Sequence, residues 1–405
     1  MADLLKILFV CSEAAPFVKT GGLADVAGAL PKALRELGHD VRIVIPRYAR
    51  IDEELKGKAV GSCSADIGGN VVFGELFQSQ LPGTDIPVYL VGHDLYFFRD
   101  KTSGKEGQQY DDNLERFCFF SLAALDGVSR TGWAPDVVHC HDWHTAVAPA
   151  YIKTRLTNHP VWGGKPTVFT IHNVIYQGRF NSSLLPRTGL GWELFTPDYI
   201  EFYGDINLMK AGIGFADKVN TVSPTHAQEI LTPDHGRGLD GYLRARADGV
   251  RGILNGVDYT NWNPATDAHI AKNYTTADRS GKAACKRDLR GVLNMPALDV
   301  PVFGMVSRLL IEKGSDLLIL ELPELLKMPL QLVVLGVGAE RFVDALKKQE
   351  ENYPDKLRVV NRHDEVLAHK IYAGADFFVM PSLSEACGIA QMYALAYGAV
   401  PVVRR

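Results

Sequence analysis

A lysine and a pair of glycines follow the first apolar run of the sequence. Lys19 precedes Gly21 and Gly22 in the segment SEAAPFVKTGGLADVAGAL, and an amphipathic pattern begins directly after the glycines. The N–H groups and the dipole at the start of a helix favour an anion, and glycine lets a phosphate come close to the backbone. The segment therefore indicates a phosphate-binding loop. A plain glycine turn beside a solvated lysine explains the same residues equally well.

A second loop holds four polar residues of a kind that bind metals. They are His139, His141, Asp142 and His144, within VVHCHDWHT. Histidine and aspartate are common metal ligands. Because their spacing differs from the HxHxDH pattern of dinuclear hydrolases, we do not predict a metal site here.

Short apolar runs alternate with longer amphipathic stretches along the chain. Most runs are apolar on both faces, which is typical of strands that helices cover on both sides. The alternation predicts an α/β protein with parallel sheets of βαβ units. The predicted strands are Leu4–Val10, Val41–Ile45, Pro87–Val91, Val137–His139, Thr167–Ile171, Lys218–Val222, Pro301–Val306, Gln331–Leu335, Lys356–Val360, Asp376–Met380 and Ala399–Val403.

One stretch breaks this pattern and suggests a domain boundary. Asn255–Asp267 (NGVDYTNWNPATD) is rich in Asn, Asp, Gly and Pro, which is typical of turns and linkers. We therefore predict two α/β domains, residues 1–257 and 258–405. Thr102–Asp112 is polar and contains glycine, which predicts a mobile loop.

Composition excludes several classes of protein. The 405 residues carry a formal net charge of −4, which argues against a strongly basic nucleic-acid binder. The six cysteines form no CxxC and indicate reduced thiols of a cytosolic protein. The first apolar run is too short for a membrane helix and lacks the basic leader of a signal peptide. We therefore expect no nucleic-acid or membrane partner, and a cytoplasmic location, or a plastid if a transit peptide has been removed.

A series of segments resembles the bacterial glycogen synthases and plant starch synthases. In the first domain the series comprises KTGGLADVAGALP, DVVHCHDWHTAVAP, TVFTIHNVIYQGRF, LMKAGIGFADKVNTVSPTHAQEI and GILNGVD. In the second it includes VSRLLIEKGSDL and GADFFVMPSLSEACGIAQMYALAYGAVPVV. These segments span nearly the whole chain in family order, which makes the resemblance specific.

The resemblance implies a fold and a reaction. The fold is GT-B, two Rossmann-like domains with an active-site cleft between them. The reaction transfers glucose from ADP-glucose to the non-reducing end of an α-1,4-glucan (glycogen or a starch primer), with retention of configuration. It implies neither a cofactor nor a metal. Because the family continues beyond the position of Arg405, we expect the second domain to be incomplete.

The resemblance also assigns roles to residues of the first domain. It places His172 against the glucosyl unit and gives Asp142 an orienting role rather than that of a nucleophile. Asp25 would also stabilise the positive end of a helix, and Asn255 would also form a turn, so simpler roles stay open for both. The donor-binding residues expected here are Lys19, Gly21, Gly22, Asp25 and Asn255.

In the second domain the expected chemistry is that of a diphosphate. Arg308 and Lys313 lie between a predicted strand and helix, where two cations can hold a diphosphate and stabilise the charge that grows on the leaving group. Glu385 is expected to accept hydrogen bonds from glucose hydroxyls. Further donor contacts are expected from the backbone N–H groups of Cys387, Gly388 and Ile389.

A non-enzymatic alternative also fits the sequence. A glucan-binding or assembly protein would keep the synthase fold and lose turnover. The presence of Arg308, Lys313, His172 and Glu385 favours the enzyme.

Overall fold

The computed structural model describes residues 4–99, 101–105, 108–246 and 248–404. It divides into two compact units, Met1–Asn255 and Gly256–Arg405. The predicted boundary after residue 257 lies close to this division. The predicted mobile loop Thr102–Asp112 includes residues 106–107, which lie outside the described residues.

Unit 1 is an α/β unit built around one large sheet. Its strands are β1 (Lys6–Val10), β2 (Asp40–Pro46), β3 (Lys58–Ile67), β4 (Asn70–Gln80), β5 (Pro87–Gly92), β6 (Gly104–Lys105), β7 (Gln108–Gln109), β8 (Val137–His141), β9 (Thr167–Ile171), β10 (Arg179–Asn181), β11 (Glu201–Phe202), β12 (Asp205–Asn207), β13 (Lys218–Thr221) and β14 (Arg251–Gly252). Its helices are α1 (Gly22–Glu36), α2 (Asp94–Phe97), α3 (Asn113–Ser129), α4 (Val147–Thr154), α5 (Leu208–Phe215), α6 (Pro224–Glu229), α7 (Pro233–Gly236) and α8 (Asp240–Arg244).

The strand order of this sheet identifies where a ligand would bind. Within the described residues, nine strands follow the order β14-β13-β9-β8-β1-β2-β5-β4-β3. From β14 to β5 all neighbours are parallel. The chain leaves β1 for β2 on one side and later returns to β8 on the other. The gap between the carboxyl ends of β1 and β8 is therefore the topological switch point, where open α/β sheets bind ligands.

One edge of the sheet is an antiparallel hairpin that the sequence did not predict. β4 runs antiparallel to both β3 and β5. Val60, Val71 and Phe73 are at least half-exposed on it. Since helices leave part of this hairpin uncovered, its strands mix exposed apolar residues with polar ones, a pattern that does not mark a buried strand.

Unit 2 is smaller and has an entirely parallel sheet among its described strands. These are β15 (Val302–Val306), β16 (Gln331–Leu335), β17 (Leu357–Val360), β18 (Phe377–Met380) and β19 (Val400–Val403), in the order β17-β16-β15-β18-β19. The helices are α9 (Ser280–Val292), α10 (Ser315–Leu325), α11 (Glu340–Asn352), α12 (Glu365–Gly374) and α13 (Ile389–Ala396). The switch point lies between β15 and β18.

The predicted strands all correspond to observed strands of the two units, with ends that differ by at most two residues. None of the helices in the described part of the chain has both the length and the apolar character that crossing a bilayer requires.

The predicted linker Asn255–Asp267 is a linker only in its first half. Trp262 is 5% exposed and stacks on His369 and Tyr393, with ring centroids 3.9 and 4.1 Å apart. Asp267 is buried, lies 2.7 Å from His369 Nδ1 and accepts a hydrogen bond from the Tyr397 hydroxyl. The second half of the segment therefore belongs to the core of unit 2.

Candidate active site

The Lys19 loop connects β1 to the first turn of α1. Gly21 is the residue before the helix, and a Cβ built on it would meet no atom within 4 Å. Lys19 Nζ lies 2.7 Å from Asp25 Oδ1, so the two predicted donor-binding side chains contact each other. Asp25 lies in the first turn of the helix, where a negative charge is also favourable for the dipole.

Glu13 holds this loop in place. Its Oε2 accepts hydrogen bonds from both the backbone N–H and the hydroxyl of Thr20, each at 2.7 Å. Glu13 is 7% exposed, so these charge-assisted bonds are partly buried although Thr20 itself is exposed. The residue between Lys19 and Gly21 is thereby fixed.

Asp142 occupies a backbone conformation that favours glycine. It follows β8 with φ 55° and ψ 178°, a region whose cost for other residues is about 1–3 kcal/mol. Its Oδ1 accepts the N–H groups of His172 at 2.7 Å and Asn173 at 3.3 Å. Burial raises the pKa of Asp142 to about 7, although the two N–H donors oppose this. The carboxyl group thus fixes the turn after β9.

Three histidine rings pack together beside Asp142. His172 Nε2 lies 3.0 Å from His141 Nδ1, and His139 Nε2 lies 2.7 Å from Thr170 Oγ1. Burial lowers the pKa of His172 to about 3 and that of His139 to about 4. Burial, reinforced by the other two rings, also holds the pKa of His141 well below its ordinary value. All three rings are therefore neutral at pH 7.

The remaining residues of the polar loop are packed rather than gathered around a common point. His144 stacks on Trp143 with ring centroids 4.0 Å apart and meets Phe117 edge-on. Among the described residues, no group of three or more His, Cys, Asp or Glu side chains is arranged to hold a metal ion.

Asn255 is the last residue of unit 1 and lies half-buried in a segment without helix or strand. The described hydrogen bonds do not join it to Lys19, Asp142 or His172. Its predicted role near the donor therefore stays a prediction.

In unit 2 the candidate charges lie on the two loops that flank the switch point. Lys313 ends a 3₁₀ turn after β15, and its Nζ lies 2.7 Å from Oε2 of Glu385, on the loop after β18. Arg308 Nη2 lies 3.9 Å from Glu312 Oε1 and is more exposed. The structure thus brings Lys313 together with Glu385, and Arg308 with Glu312, a pairing that the sequence did not predict.

Glycine brings these two loops into contact. Gly314 has φ +72°, and a Cβ on it would lie 2.1 Å from the Pro381 carbonyl oxygen. The Glu312 carbonyl oxygen accepts the Leu383 N–H at 2.9 Å. Ser382 Oγ donates to Glu385 at 3.1 Å. The position of Glu385 is therefore set by both loops.

The predicted backbone donors lie at the start of α13. Gly388 precedes the helix with φ +79°, and Ile389 is its first residue. The N–H groups of a first helical turn lack partners within the helix and point towards its N-terminus. Cys387 is half-buried, whereas the other five cysteines are buried, and all six are free thiols.

Sequence reasoning missed three residues that hold the candidate residues or their loops in place. Glu13 supports the Lys19 loop, His141 bonds His172, and Ser382 bonds Glu385. A signal existed for His141, because it lies in the polar loop that we considered only as a metal site. Nothing in the local sequence distinguishes Glu13 or Ser382.

Two family descriptions match the two units. The starch synthase catalytic domain family matches residues 6–245, and the glycosyl transferases group 1 family matches residues 295–405. The chain is 45% identical to Glycogen synthase 1 of Geobacter metallireducens and covers 80% of that protein. It is 48% identical to Glycogen synthase of Geotalea daltonii and covers 83% of it. Both alignments include 99% of this chain.

A solved structure gives the same result. The catalytic domain of Arabidopsis thaliana starch synthase IV, bound to ADP and acarbose, is 32% identical and matches with a TM-score of 0.93. The match covers 99% of this chain and 83% of the plant chain. The predicted fold class is confirmed by this match. The chain therefore belongs to the glycogen and starch synthase family of glucosyltransferases.

Proposed function

We propose that the protein transfers the glucosyl unit of ADP-glucose to the non-reducing end of an α-1,4-glucan, with retention of configuration. One observation carries the proposal: each unit gathers its candidate residues at the switch point of its own sheet. Lys19 and Asp142 follow β1 and β8, and Lys313 and Glu385 follow β15 and β18. These are the positions at which open α/β sheets bind ligands.

Unit 2 supplies the charge that the reaction needs. Cleavage of the bond between glucose and ADP leaves negative charge on the diphosphate, which Arg308 and Lys313 would stabilise. Lys313 Nζ lies 2.7 Å from Glu385 Oε2. A bound diphosphate would take over the lysine and leave the Glu385 carboxylate to accept hydrogen bonds from the sugar hydroxyls.

Unit 1 supplies orientation. Asp142 accepts the N–H groups of two successive residues, His172 and Asn173, and so sets the direction of the peptide groups around His172. The His172 carbonyl would face the positive charge that develops at the anomeric carbon. Because the His172 ring is neutral, it can hydrogen-bond a sugar hydroxyl without opposing that charge.

The donor and the location belong to the same proposal. The preference for ADP-glucose rests on similarity to the bacterial glycogen synthases and to a starch synthase bound to ADP. A cytoplasmic location fits a polymer that is made inside the cell. Neither a metal nor a cofactor is part of the proposed reaction.

The test is a donor comparison with a linkage control. The protein is incubated with glycogen and ADP-glucose or UDP-glucose, and release of the nucleoside diphosphate is measured with and without glycogen. Glucose labelled with ¹⁴C should enter the glycogen and be released as labelled maltose by β-amylase. Comparable turnover of both donors would contradict the donor assignment. The absence of transfer from either donor would contradict the proposed activity.

A further inference from the structure

The ring of His141 is held more firmly than a packing residue requires. It is 1% exposed and stacks on Phe9, with ring centroids 5.2 Å apart and an interplanar angle of 18°. Its backbone is fixed by Thr145, whose Oγ1 accepts the His141 N–H at 2.7 Å and bonds the His141 carbonyl oxygen at 2.9 Å. The ring therefore has one defined orientation.

The single described polar contact of this ring is directed at His172. His141 Nδ1 lies 3.0 Å from His172 Nε2; His141 ends β8, and His172 directly follows β9, the neighbouring parallel strand. His141 Nε2 is buried and has no hydrogen-bond partner among the described residues. His172 Nδ1, by contrast, forms no hydrogen bond with any described residue, and the surrounding protein does not enclose it completely.

This arrangement selects a tautomer. A proton on His141 Nε2 would be a buried N–H donor without an acceptor, which folded proteins avoid. With its proton on Nδ1, His141 donates to His172 Nε2. His172 then carries its own proton on Nδ1, the nitrogen that remains available to a ligand.

We propose that His141 is a positioning residue, which fixes the ring orientation and tautomer of His172 so that His172 Nδ1–H donates to a hydroxyl oxygen of the transferred sugar. The inference rests on the proposed function for the identity of that sugar. It goes beyond it by assigning to His141 a role that acts through His172 alone. Histidines are often oriented by a carboxylate. Here the neutral His141 ring can orient His172 in the same way without adding charge beside the reacting centre.

Two substitutions of His141 separate the hydrogen bond from the packing. His141→Phe keeps the ring volume and the stack on Phe9 but removes the bond. His141→Asn loses the stack but can place an amide group near the position of Nδ1. The matched control is His139→Phe, two residues earlier on the same strand, whose ring bonds Thr170 rather than His172. Thermal unfolding shows which variants are folded.

We expect His141→Phe to lower kcat and His141→Asn to restore most of it. His141→Phe should lower kcat by about 10- to 100-fold and change the donor KM by less than about threefold, since it disturbs the alignment of a bound sugar rather than its capture. His141→Asn should recover most of that loss. His139→Phe, which keeps the His141–His172 contact and alters only the packing beside it, should lower kcat less than His141→Phe does. A folded His141→Phe with near-normal kcat, or a folded His141→Asn as impaired as His141→Phe, would overturn the proposal.

A spectroscopic measurement decides the point independently of turnover. Long-range ¹H–¹⁵N correlation spectra of histidine-labelled protein, with His172 assigned by comparison with His172→Asn, report which ring nitrogen is protonated. Wild type should show His172 protonated on Nδ1, and His141→Phe should show a shifted tautomer mixture. Protonation of wild-type His172 on Nε2 would overturn the proposal even if every activity were normal. If wild type transferred glucose from neither donor, the proposed function would fail, and these spectra would still test the contact.

Discussion

The candidate residues of unit 1 and those of unit 2 differ in burial and in charge. In unit 1, Asp142, His141 and His172 are buried, Asp142 Oδ1 accepts backbone N–H groups, and His141 Nδ1 lies 3.0 Å from His172 Nε2. In unit 2, Lys313 and Glu385 are charged, partly exposed and joined by one ion pair. The first region is a rigid arrangement of hydrogen bonds, and the second is a pair of charges that can exchange partners. In the proposed reaction, position is therefore supplied by unit 1 and charge by unit 2.

Solvent exposure explains why the neutral groups lie in the buried region of unit 1 and the charged groups in the more exposed region of unit 2. A buried charge is costly unless it is paired, so His139, His141 and His172, whose pKa values burial lowers, stay neutral and can act only by geometry. A partly exposed lysine keeps its charge and loses little when it changes from a carboxylate to a phosphate. If this comparison is right, substitutions in unit 2 should remove charge effects and those in unit 1 should remove alignment.

The largest effect is expected from the cations of unit 2. Lys313→Ala should lower kcat by about 10²–10³, as for the loss of one donor to a developing anion, and should affect the donor KM less. Lys313→Arg should restore only part of this, because a planar fork does not replace a compact ammonium. Initial rates over a range of donor concentrations separate kcat from KM.

Arg308 provides the companion measurement. Arg308→Ala should be similarly severe, and the double variant with Lys313→Ala should lose less than the product of the two single losses, because both cations act on one diphosphate. Circular dichroism confirms that each variant is folded. If a folded alanine variant kept near-normal kcat, the diphosphate would not bind beside these cations, and unit 2 would not supply the charge.

Asp142 tests whether unit 1 acts by alignment. Asp142→Ala and Asp142→Gly both remove the acceptor for the His172 N–H, so both should lower kcat by about 10²-fold. The glycine variant should be the more stable of the two by about 1–3 kcal/mol, because it relieves the positive φ. Urea unfolding monitored by fluorescence measures the difference. Equal stability of the two variants would show that the backbone is not strained there.

The burial of His172 predicts a pH dependence of stability. The pKa of His172 is about 3 in the folded protein and about 6.5 in an unfolded chain. Between these values the unfolded chain binds a proton that the folded chain does not. Above about pH 6.5 the ring is neutral in both states and stability is not reduced. As the pH falls below that value, the free energy of unfolding decreases by about 1.4 kcal/mol per pH unit.

The measurement is the free energy of unfolding at several pH values between 5 and 7.5, for wild type and His172→Asn. The variant should lose less stability on acidification, and other titrating groups cancel in the difference. Parallel pH profiles for the two proteins would mean that folding does not lower the pKa of His172.

The smallest effect is expected from metal removal. Since Arg308 and Lys313 can carry the charge of the diphosphate, EDTA should leave the rate of ADP release unchanged, and added Mg²⁺ should not raise it. A strong loss on EDTA treatment that Mn²⁺ or Mg²⁺ reverses would show that unit 2 does not supply the charge alone.

The sequence predicted those features whose cause is local. The buried strands could be recognised because burial on both faces requires a largely apolar run, as in Thr167–Ile171 and Gln331–Leu335. The hairpin β3–β4 could not, because its partly exposed face gives no such run. Lys19 and Asp25 could both be assigned to the start of the first helix because only five residues separate them, and the structure shows them in contact.

Contacts between residues far apart in the chain could not be predicted from the sequence. Lys313 and Glu385 are 72 residues apart and meet only because β15 and β18 are neighbours. His141 and His172 are 31 residues apart and meet because β8 pairs with β9. Motif resemblance named some of these residues, but strand order decides which of them touch.

The packing of Trp262 and Asp267 into unit 2 has a consequence for protein engineering. Both residues lie in a segment whose composition resembles a linker, so a chimera with another synthase would naturally be joined at its end, after Asp267. Such a junction would separate the C-terminal module from its own Trp262, on which His369 and Tyr393 stack, and from the carboxylate that bonds Tyr397. A crossover between Asn255 and Gly256 transfers that aromatic core intact. Shuffled libraries of this family should therefore yield folded members at the earlier junction and aggregated ones at the later.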